Sequence, residues 1–64
     1  MRIDDATSGD ELLTALADVK PDMRATALAG RGVKILREAA DLVGASYADT
    51  MGKRAAIGAI LDGF

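Results

Sequence analysis

Four stretches of the 64-residue chain place apolar residues at helical spacing. In the first, Leu12, Leu16 and Val19 recur at i, i+4 and i+7, which is one face of an α-helix. Ser8 and Glu11 stand in the Ser-x-x-Glu order of a capping box, in which the serine side chain accepts a hydrogen bond from a first-turn amide and the glutamate side chain reaches back to the N-cap amide. The pattern therefore predicts a helix that begins directly after Ser8.

Pro21 separates this helix from the next one. Proline disfavours the α conformation at Lys20, but its fixed φ suits the first turn of a new helix. We therefore expect a second, short helix over residues 21–29, followed by a corner at Gly30-Arg31-Gly32, where glycine tolerates unusual φ values. The apolar side of the short helix consists of Met23, Ala27 and Leu28.

The clearest amphipathic pattern runs from Val33 to Val43, and Gly44 is expected to end that helix. Its apolar face holds Ile35, Leu36, Ala39, Ala40, Leu42 and Val43. An extended connection over residues 45–49 follows. Thr50 is the predicted N-cap of a last helix over 51–62, with Gly63 as its stop. The large apolar residues of that helix are Ile57, Ile60, Leu61 and Phe64.

These elements predict an all-α fold, a small bundle of three to four helices in a single domain over residues 1–64. Residues 9–29 would pack across a helix–extended-loop–helix unit over 33–62. A chain of this size buries only about 60% of the surface that its unfolded form exposes, so its stability is expected to be marginal. The shared core of the unit is predicted to be Leu36, Leu42, Ile57, Ile60 and Leu61.

The composition argues against catalysis and against a bound cofactor or metal. The chain has no cysteine and no histidine, so thiolate and imidazole ligands and the commonest general base are missing. No histidine is present to activate Ser8, Ser46 or Thr50 as a nucleophile. No apolar run approaches the length of a membrane span, and the first five residues are acidic, unlike a signal peptide. We expect a soluble, non-enzymatic protein, cytoplasmic or virion-associated.

Charge is distributed unevenly along the chain. Residues 1–23 hold six acidic and two basic side chains, whereas residues 24–64 hold six basic and four acidic ones. The C-terminal half is thus the better candidate for contact with a polyanion. The net charge of −2 nevertheless weakens the case for tight phosphate binding.

The C-terminal half resembles a known helical module in the spacing of nine residues. The resemblance is to the N-terminal helical domain of transcription termination factor Rho, a relative of the SAP and LEM helix–extended-loop–helix folds. It implies the same fold for this half and a nucleic-acid-binding function. It does not extend over residues 1–32. The nine residues are Val33, Leu36, Gly44, Met51, Lys53, Ile57, Ala59, Ile60 and Leu61.

Lys53 and Arg54 are the candidate phosphate contacts. They open the last helix, where backbone amides and the positive end of the helix dipole already favour an anion. Two basic residues are few for a nucleic-acid interface, however. Both residues have an alternative structural role. Arg54 is placed to form an ion pair with Asp49 or Asp62, and the aliphatic stem of Lys53 is placed to cover the rim of the core.

Two surfaces are candidate protein interfaces. One is a side of the last helix with little side-chain bulk, which we call the smooth face: Met51, Ala55, Gly58, Ala59 and Asp62. The other is the acidic side of the first helix: Asp10, Glu11 and Asp18. Glycine inside a helix costs about 0.5–1 kcal/mol, so Gly58 predicts a close neighbour. That neighbour is either the first helix, the commoner arrangement, or another protein.

The remaining polar and aromatic residues have ordinary structural explanations. Lys34 with Glu38, and Arg37 with Asp41, stand at i, i+4 and predict ion pairs on an exposed helix face. Tyr47 in the connection could stack on a base or on a partner side chain, but covering the end of a small core is the more usual role.

Two function classes remain. The favoured one is a small accessory or structural protein that acts through protein–protein contacts. Because Ala, Gly, Asp and Arg are abundant, as in GC-rich genomes such as those of actinobacteria and their phages, a minor phage virion component on a capsid or connector is its concrete form. The alternative is a nucleic-acid-binding module of the Rho N-terminal or SAP type.

Overall fold

A computed structural model describes residues 2–64 as an all-α fold. Its helices are α1 (Gly9–Leu16), α2 (Arg24–Ala29), α3 (Val33–Leu42) and α4 (Lys53–Gly63). Of three single-turn 3-10 helices, Ile3–Asp5 precedes α1, Pro21–Met23 precedes α2 and Ala48–Thr50 lies between α3 and α4; no strand is present over residues 2–64. Helix α3 is central: α1 and α4 pack against it, and α2 packs against α4. The predicted all-α class is confirmed.

The start of α1 follows the predicted capping box with a shift of one residue. Ser8 Oγ accepts a hydrogen bond from the Glu11 amide at 3.2 Å. The Glu11 carboxylate reaches back to Thr7, not to Ser8, and accepts from the Thr7 amide at 2.8 Å and its hydroxyl at 2.7 Å. These two hydrogen bonds, the backbone one first, lower the pKa of Glu11. The charged carboxylate therefore stabilises this helix start above the ordinary pKa of glutamate, and the contribution is lost as the pH falls through the lowered value.

Gly9 is the point of closest approach between α1 and α3. A Cβ atom placed on Gly9 would lie 2.6 Å from the Ala39 amide nitrogen and 2.7 Å from the carbonyl carbon of Glu38. Both are backbone atoms in the middle of α3, and they cannot turn aside as a side chain would. Glycine is therefore the residue that allows the first turn of α1 to lie directly on α3.

Gly58 has no such neighbour. A Cβ atom on Gly58 would meet no atom within 4 Å, and the residue is exposed. The expectation that the first helix packs against Gly58 is wrong. Successive helix residues rotate by about 100°, so Gly58 lies about 200° from the buried Ile60, on the side of α4 that faces away from the core.

The core draws on all four helices. Its largest fully buried side chains are Leu12, Leu16, Leu28, Leu36 and Ile60. Leu36 and Ile60 are thus core residues, as predicted, and Ile57 packs against the core while partly buried. Leu42 and Leu61 are not: they remain 55% and 37% exposed. The small residues Ala39, Ala40 and Ala56 are also fully buried, so α3 and α4 bury only part of the apolar faces that the sequence predicted.

The connection between α3 and α4 returns along α3. Gly63 at the end of α4 lies against Val43 at the end of α3, where an added Cβ would be 2.8 Å from the Val43 Cβ. Both helices therefore end on the same side of the molecule. The Arg37 guanidinium holds the returning segment, because its Nε donates to the carbonyl oxygen of Met51. This link replaces the expected role of Arg37 as an ion-pair partner of Asp41.

The connection also differs from a plain extended segment. Gly44 takes a φ of 89°, as expected for a helix-ending glycine, but Tyr47 also has a left-handed φ, 60°. Thr50 is not the N-cap of α4: its hydroxyl donates to the Tyr47 carbonyl at 2.8 Å and closes the turn Ala48–Thr50. Gly52 takes the N-cap position without a side-chain cap, and Gly63, the expected stop, lies inside α4.

Arg31 fixes the N-terminal segment to the corner between α2 and α3. Its guanidinium donates to the carbonyl oxygens of Asp4 at 2.8 Å and Ala6 at 2.6 Å. Ala6 is buried in the core cluster. The segment before α1 is therefore part of the packed fold.

Candidate functional site

Lys53 and Arg54 are exposed in the first turn of α4, as the phosphate-contact hypothesis requires. Their surroundings are acidic, however. Next to the Arg37–Met51 link lies an open cleft of about 330 Å³, lined by Arg37, Glu38, Asp41 and Asp49. Three of these four side chains are carboxylates, and the guanidinium is hydrogen-bonded to the backbone. The start of α4 therefore presents two cations beside an acidic cleft.

The smooth face is only partly accessible. Met51 and Ala59 are partly buried and pack against the core. Ala55, Gly58 and Asp62 are exposed and form a narrow strip along the outer side of α4. The five predicted residues are thus divided between the inside and the outside of the molecule.

The acidic side of α1 is also divided. Asp10 is exposed in the first turn of the helix, and Glu11 beside it is used in the hydrogen bonds to Thr7. Asp18 is exposed, but it lies beyond Leu16, where α1 ends. These three carboxylates do not line one continuous helix face.

Four exposed large apolar side chains instead lie on segments that converge at the C-terminal end of α4. We call them the apolar end surface: Met23, Leu42, Leu61 and Phe64, which are 49%, 55%, 37% and 46% exposed. Two contacts bring these segments together. The Arg24 guanidinium carbon lies 4.7 Å from the centre of the Phe64 ring, so the start of α2 lies near the end of α4. The Val43–Gly63 contact brings the end of α3 to the same place.

The sequence pattern placed all four of these residues on the apolar sides of predicted helices, and it placed Leu42 and Leu61 in the core. A helical wheel shows which residues share a side, but it cannot tell how wide a stripe the neighbouring helices will cover. The sequence feature that could have indicated their exposure is their position relative to the helix ends: Leu42 and Phe64 lie at helix ends, and Met23 precedes α2. Ends are the parts of a helix that a neighbour covers least.

Tyr47 is the most exposed large hydrophobic side chain among the described residues, at 81%. The expectation that it covers the end of the core is therefore wrong. Its left-handed φ of 60° is unusual for a residue with a Cβ atom. The ring projects from the connection, available to a partner.

No protein-family model matches the chain, and searches of curated proteins and of solved structures give no significant match. None of the helices over residues 2–64 has both the length and the apolar character needed to cross a membrane. In the same residues, no group of three or more acidic, histidine or cysteine side chains is placed to hold a metal ion.

Proposed function

We propose that this protein is a non-enzymatic accessory or structural module that binds another protein through its apolar end surface. The observation that carries the proposal is the exposure of Met23, Leu42, Leu61 and Phe64 on three segments that approach one another at the end of α4. Contiguous exposed apolar groups on a small folded protein are typical of interaction sites. A minor phage virion component, docked in repeated copies on a capsid or connector, is the concrete form of this proposal.

Site-specific photo-crosslinking tests it. A photoreactive amino acid at position 42 should give a covalent adduct with one defined protein in the cells that make this chain. The matched position is 55, where Ala55 is exposed on the outer strip of α4. It should give no adduct. Adducts at 55 but not at 42 would contradict the proposed surface and favour the outer strip of α4 instead.

Gly58→Leu separates these two surfaces independently. Because a Cβ atom at Gly58 meets open space, the variant should remain folded and should keep its adduct at position 42. Loss of that adduct in a folded Gly58→Leu protein would show that the partner lies on the outer strip.

A nucleic-acid-binding module of the Rho N-terminal or SAP type is the second candidate, supported by the exposure of Lys53 and Arg54 at the uncapped start of α4. If it is correct, labelled duplex or single-stranded oligonucleotides should bind at about 50 mM salt and lose affinity steeply as salt rises, because phosphate neutralisation releases counterions. The double change Lys53→Ala, Arg54→Ala should then abolish binding. On the protein-binding proposal, fluorescence anisotropy should detect no binding to either oligonucleotide.

A further inference from the structure

The segment before α1 is attached to a distant part of the fold by one side chain. We call this segment, residues 3–6, the N-terminal strap. The Arg31 guanidinium donates to the carbonyl oxygens of Asp4 and Ala6, which lie 27 and 25 residues before it in the chain. The single helical turn of the strap packs mainly on α1, the helix that follows it. Arg31 therefore supplies the hydrogen bonds that join the strap to the corner between α2 and α3.

The strap buries little apolar surface. Ala6 is its one fully buried residue, and Ile3 is partly buried against the core. Asp4 and Asp5 are exposed. Because hydrophobic stabilisation scales with the apolar area removed from water, one alanine and one partly buried isoleucine contribute little. The five largest fully buried side chains all belong to the four helices, so opening the strap removes none of them from the core.

The closed position of Arg31 also has a cost. Its Nε atom is buried and has no hydrogen-bond partner among residues 2–64, so it loses the hydrogen bond that water would give it. Both described acceptors of the guanidinium, the Asp4 and Ala6 carbonyl oxygens, are neutral, so the contact lacks the strength of an arginine–carboxylate pair. When the strap opens, water reaches Nε and both carbonyl groups. This hydration lowers the free energy of opening.

A fixed point follows the strap directly. The Glu11 carboxylate accepts hydrogen bonds from the amide and hydroxyl of Thr7, and Ser8 Oγ accepts one from the Glu11 amide. None of these contacts involves residues 3–6, so the start of α1 keeps all of them when the strap moves away. Thr7 therefore marks the boundary between the part of the chain that can open and the helix that stays in place.

We infer that the N-terminal strap is a conformational device that opens as one unit, with Arg31 as its clasp and Thr7 as its hinge, while the four helices stay folded. Parts of a protein with few buried apolar contacts open locally at a lower free energy than the whole domain. Opening exposes Ala6 and the Arg31 guanidinium to solvent. The inference does not rest on the proposed protein-binding function, since Arg31 precedes α3 and Leu42 ends it, about 15 Å away for a ten-residue helix.

Amide hydrogen exchange, measured by NMR on the whole chain, tests the inference. The reporters are the Asp5 and Ala6 amides, which make the hydrogen bonds of the strap's own turn. In the native protein both should exchange more slowly than in an unstructured chain, with protection factors within about threefold of each other because they open together. Both protection factors should lie at least about a hundredfold below that of Ala40, which is fully buried in the second half of α3.

Variants then test the clasp. Arg31→Ala should lower the protection factors of Asp5 and Ala6 at least about tenfold, while the helical circular dichroism stays at the native level. Arg54→Ala is the matched control, because it removes the same side chain from an exposed position and should leave both protection factors unchanged. Arg31→Lys keeps the charge but lacks the planar fork that reaches two carbonyl groups, so it should also lower both protection factors.

Four results would overturn the inference. If the Asp5 and Ala6 amides are as well protected as Ala40, the strap opens only when the whole domain unfolds. If they are unprotected in the native protein, the strap is never closed. Equal effects of Arg31→Ala and Arg54→Ala would show that Arg31 is not the clasp. Loss of helical circular dichroism in both Arg31 variants would make the strap an integral part of the core. The crosslink at position 42 tests the proposed function separately.

Discussion

Replacing Gly9 by alanine should destabilise the fold by about 3 kcal/mol, the upper part of the usual range for overpacking. At an unconstrained helix position the same change would stabilise by about 0.5–1 kcal/mol. The reversed sign follows from the backbone of α3, whose Ala39 nitrogen would lie 2.6 Å from the new methyl carbon. Relief requires α1 to move away from α3. Urea denaturation followed by circular dichroism measures the loss.

Gly58→Ala is the matched control, because it makes the same chemical change where a Cβ atom meets open space. It should raise the free energy of unfolding by about 0.5–1 kcal/mol, which corresponds to several degrees in Tm for a domain of this size. Equal stabilisation by the two alanines would show that α1 does not lie on α3 at Gly9.

Leu36→Ala and Ile60→Ala should each cost about 2–5 kcal/mol, because each removes a fully buried side chain from the core. At roughly 0.05–0.15 kcal/mol per residue, a domain of this length has little more stability than that to lose. Either variant should therefore lose most of its helical circular dichroism at 37 °C.

Leu42→Ala provides the comparison, since it deletes the same atoms as Leu36→Ala from a side chain that is 55% exposed. It should change the free energy of unfolding by well under half as much. Similar losses for the two leucines would place Leu42 in the core. They would also remove it from the apolar end surface.

Leu36 and Leu42 have different roles: the first contributes to stability, and the second belongs to the proposed binding surface. Both belong to the apolar face of α3, yet one holds the fold together and the other is left at the surface with Met23, Leu61 and Phe64. A marginal 64-residue domain gains little from leaving large apolar groups in water. Their exposure near the end of α4 supports the proposed protein-binding function.

Several local features could be read from the sequence because their causes lie within a few residues. Ser8 caps α1 from three residues away, Pro21 begins the second helical segment, and Gly44 ends α3 with a positive φ. Thr50 is a good N-cap residue, but local preference alone predicted the wrong start for α4. The Arg37 side chain holds the carbonyl of Met51, and the chain continues to Gly52 before α4 begins.

The sequence by itself determined the all-α class, the four helical segments and the residues that can serve as core, since helical periodicity and capping act over one or two turns. The tertiary structure alone decided which apolar residues are buried and which glycine is indispensable. Leu36 and Leu42 both belong to the apolar face of α3, about 120° apart around the helix, and the positions of α1 and α4 decide that the first is buried and the second exposed. Gly9 is required by the backbone at Glu38 and Ala39, which lies about thirty residues further along the chain, and no local pattern records a contact over that separation.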